Sequence, residues 1–255
     1  MDVYIITGSS RGLGEALAER LLLENNRVVG VSRTSNERLA ELAGSVPGRF
    51  DFVPFDLGRA DGHYECMEGI IDSVRMETNA GGRLTLIHNA GVLGPIAQLS
   101  LADEAELARN VQVNLTAPLL MTSAFLRLTE ELRERTVRTI VNISSGAAKK
   151  KPYIGWSAYC AAKAGIDMLT RCVAAEQGEG AHAARIVSIA PGVVDTAMQE
   201  QIRGTDEARF PSKPRFVELK RTGKLFSPQE AADKLIRVVR NGGWKQGDIL
   251  DLRDL

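Results

Sequence analysis

Tyr159 and Lys163 stand four residues apart in Ser157-Ala158-Tyr159-Cys160-Ala161-Ala162-Lys163-Ala164-Gly165. In a helix that spacing puts both side chains on one face. An ammonium beside a phenol favours the phenolate and lowers its pKa from about 10. The phenol then becomes a proton donor or acceptor usable near neutral pH. The pair alone proves little, because four tyrosines give one such pair by chance in roughly a fifth of sequences. Its neighbours carry more. Asn142-Ile143-Ser144-Ser145 ends one apolar run, His88-Asn89-Ala90-Gly91 ends another, and Ala190-Pro191-Gly192-Val193-Val194-Asp195-Thr196 ends a third. Open α/β sheets bind ligands at the carboxyl ends of their strands. Ser145 at such an end could donate to a substrate carbonyl. Asn114 lies within a helical stretch, where an inward-facing polar residue needs a reason.

A second constellation opens the chain. Thr7-Gly8-Ser9-Ser10-Arg11-Gly12-Leu13-Gly14 follows an apolar run and precedes a helical pattern. Glycines in such a turn let the backbone approach a pyrophosphate, and the helix N-terminus offers free N–H donors and positive potential. Glycines are common in this chain, so the string by itself could be a plain strand-to-helix turn. Its place between a strand and a helix at the start of a βαβ unit makes it a dinucleotide-binding candidate. About 20 residues further on, such a fold places an acid that accepts from the ribose of NAD. Here Val31-Ser32-Arg33-Thr34 puts Ser32 where the acid would be, with Arg33 next and Arg11 in the loop. Two cations and no carboxylate favour a 2′-phosphate, hence NADPH/NADP+. Hydrogen bonds to charged groups are worth about 1.5–3 kcal/mol each, enough for at least tenfold discrimination. Arg33 taken alone would be a surface arginine.

The elements that must hold these residues alternate along the chain. Apolar runs at Val3–Thr7, Arg27–Ser32, Phe50–Phe55, Leu84–His88, Val137–Ile143, Arg185–Ala190 and Asp248–Leu252 read as strands. Helical patterns fall between them at Gly14–Glu24, 61–77, 101–128, 157–178 and 228–240. Continuous apolar strands mark a parallel sheet covered on both faces. The alternation predicts right-handed crossovers and one doubly wound α/β domain of about seven strands over 1–255. One region is loose: 195–227 carries many cations, from Arg203 and Arg209 to Lys224, with Pro211 and Pro214. It is either a solvated excursion or a lid over the site.

Composition narrows the class. The 255 residues carry 32 Lys+Arg against 32 Asp+Glu, so the formal net charge is zero. That removes the electrostatic footprint of a non-specific nucleic-acid binder. Three cysteines, with no C-x-x-C spacing and far from the three histidines, argue against a disulfide framework and a zinc cluster, so no metal is expected. No apolar run approaches the ~20 residues of a membrane helix. The reading is a soluble protein in a reducing compartment, the cytosol, with no membrane or nucleic-acid partner.

Taken together, these segments resemble the short-chain dehydrogenase/reductase family over essentially the whole chain. Its glycine loop matches Thr7 to Gly14, its N-A-G motif matches Asn89-Ala90-Gly91, and its P-G-x-x-x-T motif matches Pro191 to Thr196. The resemblance implies a single-domain Rossmann fold and a nicotinamide-dependent oxidoreductase. It implies that Tyr159 protonates the carbonyl oxygen, that Lys163 lowers its pKa and holds the nicotinamide ribose, that Ser145 orients the carbonyl, and that Asn114 holds a water in a proton relay. Gly8, Ser10, Arg11, Gly12, Leu13 and Gly14 would hold the dinucleotide, with Ser32 and Arg33 at the adenosine ribose. Asp56 and Leu57 would meet the adenine, Asn89 to Gly91 the adenosine side, and Pro191, Gly192, Val193 and Thr196 the carboxamide side. The span from Ser145 to Tyr159 is one residue longer than the family usually has, with the extra residue expected in Ala148-Lys149-Lys150-Lys151-Pro152. That leaves Ser144 as an alternative inward serine.

Within the family, Gly155-Trp156-Ser157-Ala158-Tyr159-Cys160-Ala161-Ala162-Lys163-Ala164 is similar to the sepiapterin reductases and the bacterial benzil reductases. Both groups reduce one ketone of a vicinal dicarbonyl with NADPH. The resemblance makes Asp251 the candidate for the acid that anchors a pterin, although it could equally be a strand-end residue. Trp156 is either packing or a wall for an aryl substrate. Family members are commonly homodimers or homotetramers. The implied function is an NADPH-dependent reductase of small α-dicarbonyls. The alternatives are a 3-oxoacyl-[acyl-carrier-protein] reductase and a dinucleotide-sensing regulatory protein.

Overall fold

The computed structural model of the chain describes residues 1–148 and 152–255. Strands and helices alternate as β1 (Val3–Thr7), α1 (Gly12–Leu23), β2 (Arg27–Ser32), α2 (Glu37–Ala43), β3 (Arg49–Pro54), α3 (His63–Ser73), α4 (Arg75–Asn79) and β4 (Gly82–His88). There follow α5 (Glu104–Val111), a π-helical turn (Gln112–Thr116), α6 (Ala117–Leu128), β5 (Thr136–Ile143), α7 (Ser157–Gln177), β6 (Arg185–Ala190), α8 (Ala197–Gly204), α9 (Lys213–Arg221), α10 (Pro228–Asn241) and β7 (Ile249–Asp251). The seven strands form one sheet in the order β3-β2-β1-β4-β5-β6-β7, and every pairing is parallel. The chain reverses its winding between β1 and β4, and their carboxyl ends open a crevice there.

The physical reason for this layering is visible in the strands. All residues of β1 and β2 are buried, because helices cover both faces of the sheet. On one face Leu17, Leu21 and Leu22 of α1 pack with Ala231, Leu235 and Val239 of α10. On the other face Met67, Ile70 and Ile71 of α3 pack with Met121 and Phe125 of α6. Ser227 and Glu230 form a reciprocal cap at the start of α10, with Pro228 at its first turn; both devices satisfy or dispense with N–H groups that a helix leaves free.

Three sequence expectations change. The stretch 61–77 is two helices, α3 and α4, parted at Val74. The stretch 101–128 is interrupted at Gln112–Thr116, where the backbone widens into a π turn; such turns are rare and cluster at functional sites. The loose region is not irregular. It folds into α8 and α9, and its Phe210 and Phe216 are buried against Trp156. A charge-rich sequence hid these helices because only one thin apolar stripe is buried in each. A further helix, α2, was not expected; Asn36 caps it by accepting from Leu39 N–H at 3.1 Å.

Candidate active site

The carboxyl ends of the strands surround one cavity of about 1340 Å³. The glycine loop lies at one side of it. Gly8 and Gly12 have positive φ, a conformation that costs a residue with a Cβ. Gly14 sets the closeness of helix to strand: a methyl group there would lie 2.1 Å from Gly8 O and 2.5 Å from Asn89 Nδ2. Gly14 therefore packs α1 onto β1 and does not line the cavity, whereas Gly8, Ser10, Arg11, Gly12 and Leu13 do. Asn89 ties the loop to β4, donating to Thr7 O at 3.0 Å and Gly8 O at 3.1 Å. A loop with this backbone opening at the head of α1 fits the pyrophosphate of a dinucleotide.

The adenosine side of the cavity is built by the ends of β2 and β3. Ser32 is buried and donates to Thr34 O at 2.8 Å. Arg33 and Arg11 are exposed and line the cavity. Asp56 accepts from Gly58 N–H at 2.9 Å and from Arg109 at 3.3 Å, and its pKa is lowered by these bonds and by nearby Arg33 against the raising effect of burial. Arg109, one turn before the π turn, lines the same wall; no motif singled it out, because nothing in the sequence pairs it with Asp56. Leu57, Ala90, Gly91, Pro191, Gly192, Val193 and Thr196 also line the cavity.

At the centre, Ser145 hydrogen-bonds the Tyr159 hydroxyl, and its Oγ accepts from Ala147 N–H at 3.2 Å. Ser144 is buried with its hydroxyl unpartnered. Both serines line the cavity, but the bond to Tyr159 belongs to Ser145. The longer span to Tyr159 runs through 149–151, outside the described residues. Burial raises the Tyr159 pKa, and the bond to Ser145 opposes it. Lys163, expected to lower it, does not figure among the groups that shift it. Lys163 Nζ lies 5.9 Å from the Tyr159 ring centroid and donates to Ile143 O at 2.8 Å. Burial lowers the Lys163 pKa to about 8, while Asp167 one turn along raises it. Asp167 itself accepts from Ser188 at 2.7 Å.

Asn114 is buried inside the π turn. Its Oδ1 accepts from Val92 N–H at 3.0 Å, and its Nδ2 donates to Val92 O at 2.7 Å and Asn110 Oδ1 at 2.9 Å. The side chain thus holds the loop after β4 and does not line the cavity. Trp156 lies edge-on to Tyr159 at 5.7 Å and stacks on Phe210 at 4.5 Å; it lines the cavity with Tyr153 and Phe216. Asp251 is brought elsewhere. Its carboxylate takes both Nε and Nη2 of Arg253, and Arg253 rather than Asp251 lines the cavity. A buried acid beside an arginine two residues on is taken by it, which the anchor expectation overlooked.

His88, at the end of β4, bonds Thr122 Oγ1 at 2.9 Å. Burial, and then the Lys163 charge, pushes its pKa down to about 3. The folded state keeps this imidazole neutral, while an unfolded chain protonates it below about 6.5. Stability is therefore lost as pH falls from about 6.5 towards 3. Moving from pH 7 to 4.5 should remove about 2–3 kcal/mol through this residue. Urea denaturation of the wild type and His88→Asn at both pH values checks it; the variant should lose less stability, and equal losses would exclude His88 as the source.

Comparison with known proteins gives a consistent picture. A family model described as short chain dehydrogenase matches residues 2–207. The chain is 40% identical to a benzil reductase ((S)-benzoin forming) of Bacillus cereus over 250 residues, 98% of each protein. It is 35% identical to the sepiapterin reductase of Bos taurus over 259 residues, 98% of this chain and 94% of that protein. Among solved structures, the KRED1-Pglu enzyme superposes with a TM-score of 0.82 at 29% identity, covering 98% of this chain and all (100%) of that one. Among the described residues, no helix is long and apolar enough to cross a membrane.

Proposed function

The chain belongs to the short-chain dehydrogenase family and is an oxidoreductase of C=O and CH–OH groups; from that premise we infer that it reduces one ketone of a small α-dicarbonyl with NADPH. The observation that carries the reading is the buried Tyr159 hydroxyl, bonded to Ser145 and walled by Trp156 on the same cavity as the glycine loop.

A nicotinamide dinucleotide held by these residues would supply the hydride that reduces the carbonyl carbon. Tyr159 gives its proton to the carbonyl oxygen. A phenol raised by burial is held protonated in the resting protein, which suits an acid in a reduction. Ser145 shares a hydrogen bond with that hydroxyl and orients the carbonyl. Lys163, with a pKa of about 8, is mostly protonated at neutral pH; it holds the nicotinamide ribose and stabilises the phenolate left after proton transfer. Asn114 spends its side chain on Val92 and Asn110, so its part is to hold the loop after β4 that lines the cavity. Gly8 to Leu13 would hold the pyrophosphate, Arg11 and Arg33 a 2′-phosphate, and Thr196 the carboxamide. Trp156, Tyr153 and Phe216 give the substrate end aromatic walls suited to an aryl diketone. The segment 195–227, through Phe210 and Phe216 against Trp156, acts as the roof of that end.

Initial rates of NADPH and NADH oxidation with benzil, 1-phenyl-1,2-propanedione and sepiapterin test this, with an acetoacetyl thioester as the contrast. Fast oxidation of NADPH with the diketones and little of NADH is the expected result. Activity confined to the thioester would transfer the assignment to 3-oxoacyl-thioester reduction. Cofactor binding without turnover of any of the four would favour a sensing role.

A further inference from the structure

The chain ends by folding back over the cavity. After β7, Arg253 lies between the loops that follow β5 and β6. A methyl group on Gly146 would come within 3.1 Å of Arg253 Nη2, and one on Gly192 within 3.3 Å of its Cγ. Gly146 directly follows Ser145, so this guanidinium stands beside the residues that would meet the reacting carbonyl. Asp251 grips it from behind through Nε, Nη2 and the Arg253 backbone N–H. That carboxylate is only 8% exposed and does not line the cavity. A second guanidinium, Arg215 of α9, lines the same end and donates to the Tyr153 hydroxyl at 2.8 Å. Among the described residues that line the cavity, Asp56 is the sole carboxylate, and it sits at the adenosine side with Arg109. Among the described residues that line it, the substrate end thus presents two guanidiniums beside the rings of Tyr153, Trp156 and Phe216 and no carboxylate; Asp251 and Asp254, the acids that act on Arg253, lie outside that lining.

We propose that Arg253 and Arg215 form an anion-binding end of the substrate site, and that the diketone this enzyme takes carries a carboxylate there. The proposal rests on the dicarbonyl reading and names the substrate class within it. A planar guanidinium pre-oriented by one carboxylate keeps donors for a second, and a fixed fork recognises a carboxylate with little further ordering. Asp251 is then a positioning residue: it aims Arg253 and does not itself meet substrate.

The experiment compares the para-carboxylate of 1-phenyl-1,2-propanedione with its methyl ester. Calorimetric titration of the NADP+-saturated protein reads binding without turnover. The acid should bind at least fivefold more tightly than the ester, and 500 mM salt should shrink that preference, because both guanidiniums reach solvent. Arg253→Met alone would take from Asp251 the guanidinium that its carboxylate holds, so the preference is read in the double variant D251N/R253M and in R215M. It should collapse in the first and fall in the second, while R253K retains part of it. Equal affinities in the wild type, a preference that survives D251N/R253M, or binding of neither compound would overturn the proposal. NADPH oxidation with the neutral ester is scored separately. Its absence would defeat the dicarbonyl reading, while the binding ratio would still decide the anion site.

Discussion

Replacing Tyr159 by phenylalanine is expected to lower the turnover of a diketone a hundredfold or more and to leave NADPH affinity nearly unchanged. The substitution removes one oxygen from a side chain that is only 8% exposed, so packing against Trp156 is kept while the acid is lost. General acid catalysis typically contributes about 10²–10⁴-fold, and Ser145, which bonds the same atom, is a far weaker acid. Ser145→Ala should cost less on its own. Combined with Tyr159→Phe it should add little, because groups that act on one proton as a unit are not additive. Steady-state kcat with 1-phenyl-1,2-propanedione, beside NADPH binding by fluorescence, measures both. A variant that keeps more than a tenth of wild-type turnover would remove Tyr159 from the role of acid.

What made this site readable in advance was the punctuation of a parallel sheet. The buried strands β1, β4, β5 and β6 are largely apolar and end just before Gly8, Asn89, Ser144 and Pro191, so the residues at the carboxyl edge could be gathered without coordinates. Local spacing also placed Tyr159 and Lys163 on one face of α7. It could not rank the forces on the phenol. The ammonium was expected to dominate, but burial does: Tyr159 is enclosed by the Trp156 cluster, and Lys163, 5.9 Å from its ring centroid, does not figure among the groups that shift it. Contacts between distant segments were the other gap. Arg109 meets Asp56 across 53 residues, Arg215 meets Tyr153 across 62, and Arg253 reaches Gly146 only because β7 pairs with β6. Patterns of period 2 or 3.6 carry no information about such meetings. Asn114 falls between the two cases. Its polarity inside a helix flagged it, but the π turn that accommodates it, and its tie to Val92, depend on packing beside β4.

Cofactor choice should respond as strongly as the chemistry. The adenosine side holds the guanidiniums of Arg11, Arg33 and Arg109 against the single carboxylate of Asp56, and Arg109 is already paired with it. On the proposed NADPH reading, Arg11 and Arg33 would meet its 2′-phosphate. Arg33→Ser should therefore weaken NADPH about tenfold or more, the loss of one charge-assisted contact, with little effect on NADH. Ser32→Asp acts in the opposite sense on the two cofactors. A carboxylate at the end of β2 can accept from the free 2′-hydroxyl of NADH and repels the phosphate of NADPH. It displaces a hydroxyl that serves only Thr34 O. The double variant S32D/R33S should swing the ratio of kcat/KM for NADPH over NADH by at least a hundredfold. In the wild type, raising salt should increase KM for NADPH more than for NADH, because exposed charges are the ones salt screens. A ratio that moves less than fivefold, or a wild type that already prefers NADH, would mean that Arg11 and Arg33 are solvated surface arginines and that selection lies in the pair of Asp56 with Arg109.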